Sequence, residues 1–205
     1  YLTQEELEEA FRQQHGSLEQ LRQGMFAPKN KGRTDLTQTD EGYALSANLL
    51  SCGYVADGEV SAFPSARAEG SQVHPVIECT QNIPCNPCQD ACPVGCIKVG
   101  SNITSLPALN PETQCIGCGM CVASCPGQAI FLLREVDDQA EITLPYEFLP
   151  LPQKGDKGMA LSRGGQPLCP AEVVEVKAAK AMDHTNLITM RVPKEFAETA
   201  RFIQF

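Results

Sequence analysis

Alternation of apolar and polar positions is clearest in the last third of the chain. Ala140, Ile142, Leu144, Tyr146 and Phe148 alternate with Glu141, Thr143, Pro145 and Glu147, the period of a strand with one buried face. Pro145 cannot donate to a ladder, so this run is expected at a sheet edge. Glu172 to Lys177 and Leu187 to Val192 are further strand candidates, joined through Asp183-His184-Thr185-Asn186. Gly155-Asp156 and Gly164-Gly165 are turn signals, and Pro193 can open a short helix running through Arg201. Residues 133–205 are therefore expected to form a small β-rich domain, a barrel or a folded sheet.

Residues 1–78 carry a helical period instead. Thr3 with Glu6 makes a capping box, Ser17 with Gln20 could make a second, and Leu7, Ala10, Phe11, Leu18 and Leu21 share one helical face. A second helix is expected from Asp40 to Cys52, with Tyr43, Leu45, Leu49 and Leu50 apolar and Gly53 past its end. From Ala56 to Pro75 there is little periodicity. This stretch reads as a helical N-terminal arm that lies against the rest of the chain or wraps a partner.

Composition changes the picture in the middle. The chain has 205 residues and a net charge of −9, which argues against a nucleic-acid backbone or an anionic membrane as partner. No apolar run approaches a membrane span, and the start, Tyr1-Leu2-Thr3-Gln4-Glu5-Glu6, has neither the basic nor the apolar region of an export signal. Nine of the 11 cysteines fall between Cys79 and Cys125, where the only charged residues are Asp90, Lys98 and Glu112. An odd total and no export signal disfavour a disulfide framework, and clustering disfavours scattered core thiols. A metal site is left.

The spacing says which metal. Cys115-Ile-Gly-Cys118-Gly-Met-Cys121-Val-Ala-Ser-Cys125-Pro126 is C-x2-C-x2-C-x3-C-P, the bacterial run for a 4Fe–4S cluster, whereas a lone C-x2-C would equally suit zinc. Three thiolates on one tight loop reach three irons of a cube. Gly117 and Gly119 let the backbone curl and aim N–H groups at sulfur. The fourth cysteine is expected to begin a helical turn, point away and ligate the other cluster, with Ile116 and Met120 as apolar shielding.

Cys85-Asn-Pro-Cys88-Gln-Asp-Ala-Cys92-Pro93 supplies the last three cysteines of a first half-motif in the same register. Its first ligand position falls on Asn82, so Cys79 or Cys96 must stand in. Cys79 leads the loop, where the first ligand belongs, and the longer connection costs little. Cys96 is the alternative. Crossed ligation then gives one cluster on Cys79, Cys85, Cys88 and Cys125, and the other on Cys92, Cys115, Cys118 and Cys121. Cys92-Pro93-Val94-Gly95-Cys96-Ile97 also parallels Cys125-Pro126-Gly127-Gln128-Ala129-Ile130, each Ile opening a short strand.

Residues 79–132 resemble the dicluster bacterial ferredoxin domain. Ile77-Glu78-Cys79-Thr80-Gln81-Asn82-Ile83-Pro84-Cys85-Asn86-Pro87-Cys88 and Leu144-Pro145-Tyr146-Glu147-Phe148-Leu149-Pro150-Leu151-Pro152 further resemble the iron–sulfur subunits found with FAD-dependent amino-acid, hydroxyproline or opine dehydrogenases of anaerobic bacteria. The resemblance implies an α+β chain: a helical N-terminal arm (1–78), a ferredoxin-like dicluster core (79–132) and a small β-rich domain (133–205). It implies an electron-transfer subunit in a hetero-oligomer, with FAD on the partner dehydrogenase subunit; the cytoplasm is the expected compartment because ligand thiols must stay reduced until clusters are inserted.

No dinucleotide fingerprint, phosphate loop or nucleophile–base pair accompanies the cysteines, so no substrate site is evident on this chain. A free-standing two-cluster carrier and a zinc-binding scaffold are the competing readings. Cys52 and Cys169 read as buried free thiols, and His15 and His184 as exposed or turn residues. His74 could hydrogen-bond near a cluster. Phe202, Ile203 and Phe205 at a terminus that would normally fray are expected to seek a partner.

Overall fold

The run Ile130-Phe131-Leu132-Leu133 is apolar at every position, the mark of a strand buried on both faces. In the computed structural model, which describes residues 37–39, 42–44, 53–56, 72–80, 83–102 and 104–205, it begins a strand that serves two cores. Ile130 and Leu132 point into one apolar cluster with Ile77, Ile97, Val122 and Leu187. Phe131 and Leu133 point into another with Val76, Ile142, Leu144, Ile188, Met190 and Ile203. Successive strand side chains face opposite ways, so one sheet separates the cysteine-rich unit from the β-rich core.

Among the described residues the strands are β1 (Thr37–Thr39), β2 (Gly42–Ala44), β3 (His74–Ile77), β4 (Ile97–Val99), β5 (Pro107–Leu109), β6 (Ile130–Val136), β7 (Gln139–Tyr146), β8 (Lys157–Ser162), β9 (Pro167–Lys177), β10 (Asn186–Pro193) and β11 (Ala200–Gln204). The main sheet runs β11-β8-β9-β10-β7-β6-β3, and every neighbouring pair is antiparallel. Register shifts in the β9–β10, β8–β11 and β8–β9 pairs bend it. Tyr146 of β7 thereby stacks on Phe202 of β11, with ring centroids 5.9 Å apart. β4 and β5 form a separate hairpin, and two short helices, α1 (Pro87–Asp90) and α2 (Met120–Ala123), lie between the strands.

The architecture is mostly β, and several expectations are corrected. Residues 42–44 pair with 37–39 as a hairpin instead of opening the helix expected from Asp40. Thr37, Thr39 and Tyr43 favour extended backbone, and Thr39↔Gly42 pairing leaves two residues for the turn. The face formed by Leu7, Ala10, Phe11, Leu18 and Leu21 lies outside the described residues, as do His15 and Cys52. β3 was not expected, and it pairs with β6; the division at 132/133 falls inside β6.

β7 is not an edge strand. It pairs with β10 along its whole length, while β6 pairing stops at Thr143, so Pro145 faces no missing ladder on that side. Its polar positions are buried because neighbours satisfy them. Glu141 is held by Arg134 and by Arg191 (2.7 Å), and the Thr143 and Thr189 hydroxyls lie 2.8 Å apart. The helix expected through Arg201 is a single 3₁₀ turn, Lys194–Phe196, followed by β11. The C-terminal tail therefore packs on this chain: Ile203 is buried in the β core, and Phe205 stays exposed.

Candidate iron–sulfur site

Two half-motifs repeat at the level of single hydrogen bonds. One capping residue separates each short helix from a cysteine: Ala91 stands between α1 and Cys92, and Ser124 between α2 and Cys125. The fourth cysteine thus follows a helix and does not begin one, because Gly119 already opens α2. Gly95 N–H donates to Cys92 O and Gln128 N–H to Cys125 O (3.1 and 3.0 Å). Cys96 N–H and Ala129 N–H then reach the Cys92 and Cys125 sulfurs, at 3.1 and 3.4 Å. Ile97 and Ile130 open β4 and β6 as expected.

Two glycines hold the second loop. Gly117 and Gly119 have φ of +71° and +84°, a region that side chains disfavour. A Cβ would meet Val73 Cγ1 at 2.8 Å from Gly117 and Leu187 Cδ1 at 2.5 Å from Gly119. The loop therefore lies flush on residues flanking β3 and on β10. Gly117 N–H points to Cys115 Sγ at 3.4 Å.

The thiols gather in two groups. Cys79, Cys85, Cys88 and Cys125 line a cavity of about 460 Å³, closed further by Tyr54 and Arg163. Cys92, Cys115, Cys118 and Cys121 line a second, with Cys96 as a fifth thiol and walls of Pro75, Ile97 and Leu132. Each half-motif sends its last cysteine to the other group. Cys79 lines the first cavity and Cys96 the second. Burial, then neighbouring Cys125, Cys79 and Cys85, push the Cys88 thiol up to about 11. Burial, then Cys115, Cys118 and Cys92, push Cys121 to about 12. Each set of four thiols supplies the all-sulfur donors that a 4Fe–4S cluster takes. Tetrahedral bonds of about 2.3 Å to a single zinc would draw sulfurs to about 4 Å from one another. Among the described residues no three ligand side chains converge to hold one ion.

The other candidates are placed plainly. Ile116 is 59 % exposed at the rim of the second cavity, and Met120 packs among the apolar residues around it. His74 is buried in β3 opposite Leu133 and lines neither cavity. His184 is an exposed turn residue with φ +69°, and Cys169 is buried in the β core. What the sequence reading missed is a buried ion network beside Cys79. Glu78 accepts from Arg163 Nε (2.8 Å) and Arg201 Nε (2.9 Å), and all three side chains are at most 8 % exposed. Burial opposes the Glu78 charge, but the two guanidiniums more than reverse it and hold its carboxyl below the usual range. The three residues are remote in sequence, and no local pattern joins them.

The 4Fe-4S binding domain family model matches residues 112–131, which carry the second half-motif. The chain is similar to ABC transporter E family member 1 of Arabidopsis thaliana, 38 % identical over 81 residues, covering 33 % of this chain and 13 % of the relative. It is also similar to an uncharacterized ferredoxin of Methanocaldococcus jannaschii, 38 % identical over 61 residues, covering 30 % of this chain and 38 % of the relative. The chain thus spans well under half the length of either. No solved structure matches it.

Proposed function

We propose that this chain is an electron-transfer subunit that holds two 4Fe–4S clusters and works beside an FAD-dependent dehydrogenase subunit. When bound, each cluster supplies storage for a single electron. The carrying observation is the crossed pair of four-thiol groups, each taking one cysteine from the opposite half-motif. Cys79, Cys85, Cys88 and Cys125 would hold one cluster; Cys92, Cys115, Cys118 and Cys121 would hold the other. The backbone N–H groups of Cys96, Gly117 and Ala129 favour negative charge on the sulfurs they face. Exposed Ile116 marks the edge where a redox partner can approach the second site.

The partner reading rests on division of labour. A chain that moves single electrons needs another to hold substrate and to split an electron pair, and a flavin does this. The reading places the complex in the cytoplasm, where ligand thiols stay reduced until iron is inserted. Anaerobic purification from the native source tests it. The expected result is a brown chain with about eight irons and eight sulfides, co-purifying with a flavin-containing subunit. A colourless, zinc-loaded protein would overturn the cluster reading. A brown chain that leaves every column alone would leave the free carrier standing and remove the subunit.

A further inference from the structure

The two half-motifs differ at one equivalent position. Cys96 stands four residues past Cys92 and Ala129 four residues past Cys125, and each sends its backbone N–H to that cysteine's sulfur, at 3.1 and 3.4 Å. Their side chains are unlike: Ala129 ends in a methyl group and Cys96 in a thiol. Cys96 is only 6 % exposed and lines the cavity of Cys92, Cys115, Cys118 and Cys121. Ala129 lines the other cavity. The Cys96 thiol also hydrogen-bonds the Cys115 sulfur. One residue thus reaches two sulfurs of one donor set, Cys92 through its backbone and Cys115 through its side chain.

The fold fixes this contact from both sides. Gly95, at φ +67°, turns the chain after Cys92, and its N–H donates to Cys92 O (3.1 Å). Cys96 then leads into β4, whose Ile97 pairs with Leu109 of β5. Asn110 closes that hairpin: its backbone N–H donates to Cys96 O (2.8 Å), and its side-chain amide donates to Gly95 O (3.2 Å) and Thr113 Oγ1 (2.6 Å). Thr113 lies two residues before Cys115, so the hairpin delivers the Cys115 loop to Cys96. A ligand sulfur is a thiolate with no proton to give, so between these two side chains Cys96 S–H donates and Cys115 accepts. A hydrogen bond to ligand sulfur favours the more negative, reduced state and raises the reduction potential. Burial keeps water from competing for the donor.

We propose that Cys96 is a positioning residue for electron transfer, whose thiol donates to the Cys115 sulfur and raises the reduction potential of the Cys92 site. This rests on the two-cluster reading above. The step it acts on is uptake of one electron from a one-electron donor, dithionite in vitro, which is itself oxidised by one electron. Cys96 keeps its proton throughout and forms no bond to iron.

The test is a mediated redox titration of the anaerobically purified full chain, followed by electron paramagnetic resonance. The parent should show two one-electron steps, and the step absent in Cys118→Ala belongs to the Cys92 site. Cys96→Ala should keep about eight irons per chain. It should lower that midpoint, changing one-electron partition about threefold, which is about 28 mV at about 59 mV per tenfold. The other midpoint should stay in place. Cys96→Val refills the volume without a donor and should match Cys96→Ala, which separates the hydrogen bond from packing and covers the case where the smaller side chain loses iron. Cys96→Ser restores a donor and should bring the midpoint back toward the parent. Unmoved midpoints at full iron content, or a drop that Cys96→Ser repeats in full, would overturn the hydrogen bond. Loss of about four irons in all three variants would make Cys96 a ligand and overturn the proposal while two clusters stand. About four irons in the parent, or a single step, would overturn the two-cluster reading itself.

Discussion

Gly119→Ala is the most demanding perturbation of the site, because it changes one carbon between Cys118 and Cys121. Two penalties combine. A φ of +84° costs a residue with a Cβ about 1–2 kcal/mol. The new Cβ would also meet Leu187 Cδ1 at 2.5 Å. Leu187 is buried on β10, so its side chain can give way only against packed neighbours, at about 1–3 kcal/mol. The sum is about 2–5 kcal/mol, and each 1.4 kcal/mol is about tenfold. The assay is bleaching of visible absorbance in fixed guanidinium under argon, a rate because cluster loss is irreversible. Part of the penalty acts on the unfolding limb, so cluster loss should accelerate about tenfold or more. Gly127→Ala has open space and no positive φ, and should leave the rate unchanged. In a Leu187→Ala background only the backbone penalty is left, so the two changes should couple by about 1–3 kcal/mol. Equal effects of Gly119→Ala in both backgrounds would refute the contact, and no effect in either would refute the loop geometry.

Three further outcomes are expected. Cys79→Ser should bring iron from about eight to about four per chain, while Cys96→Ser should leave it intact; the reverse in an iron assay would exchange their roles. Burial opposes ionisation of Glu141, but hydrogen bonds from Arg191 and Arg134 outweigh it and lower its pKa. Stability from that pairing is present above the ordinary carboxylate range and is lost as pH falls through the lowered folded value. Glu141→Gln should cost about 1 kcal/mol at neutral pH, after discounting for the half-exposed arginines, and should flatten the acid limb of a denaturation series. Iron chelation under reducing conditions should open residues 79–125 to protease while far-ultraviolet circular dichroism keeps its β signal, since the core around Ile142, Ile188 and Met190 contains no ligand. Loss of all β signal would refute two separable cores.

The cysteine spacing was legible because cluster ligation is a short-range rule: one loop must reach one cube, so 0, 3 and 6 are written locally, and position 10 follows one short helix later. β9 and β10 were legible for a similar reason, with apolar residues such as Val173, Val176, Ile188 and Met190 carrying them. Pro145 misled because an edge is defined by neighbours, and β10 comes from 40 residues downstream. β3 is four residues long and gains its identity only by pairing with Ile130 to Leu133. The tail misled for the same reason: Phe202 and Ile203 look unpartnered until β8 supplies the other side of the ladder. Glu78, Arg163 and Arg201 span 123 positions, beyond any local signal.

The pairing Ile77↔Ile130 has a consequence for assembly. Every proposed ligand lies between those two residues, so the cysteine-rich segment is an excursion leaving the sheet at β3 and returning beside its own starting point at β6. Loop-closure entropy for that excursion is met by the strand ladder, whose side chains on the far face belong to a core without iron. The sheet can therefore knit first and present both half-motifs with their outer ends already tied. Iron then has to order a closed loop and not an open chain, which reduces the configurations the thiols must search.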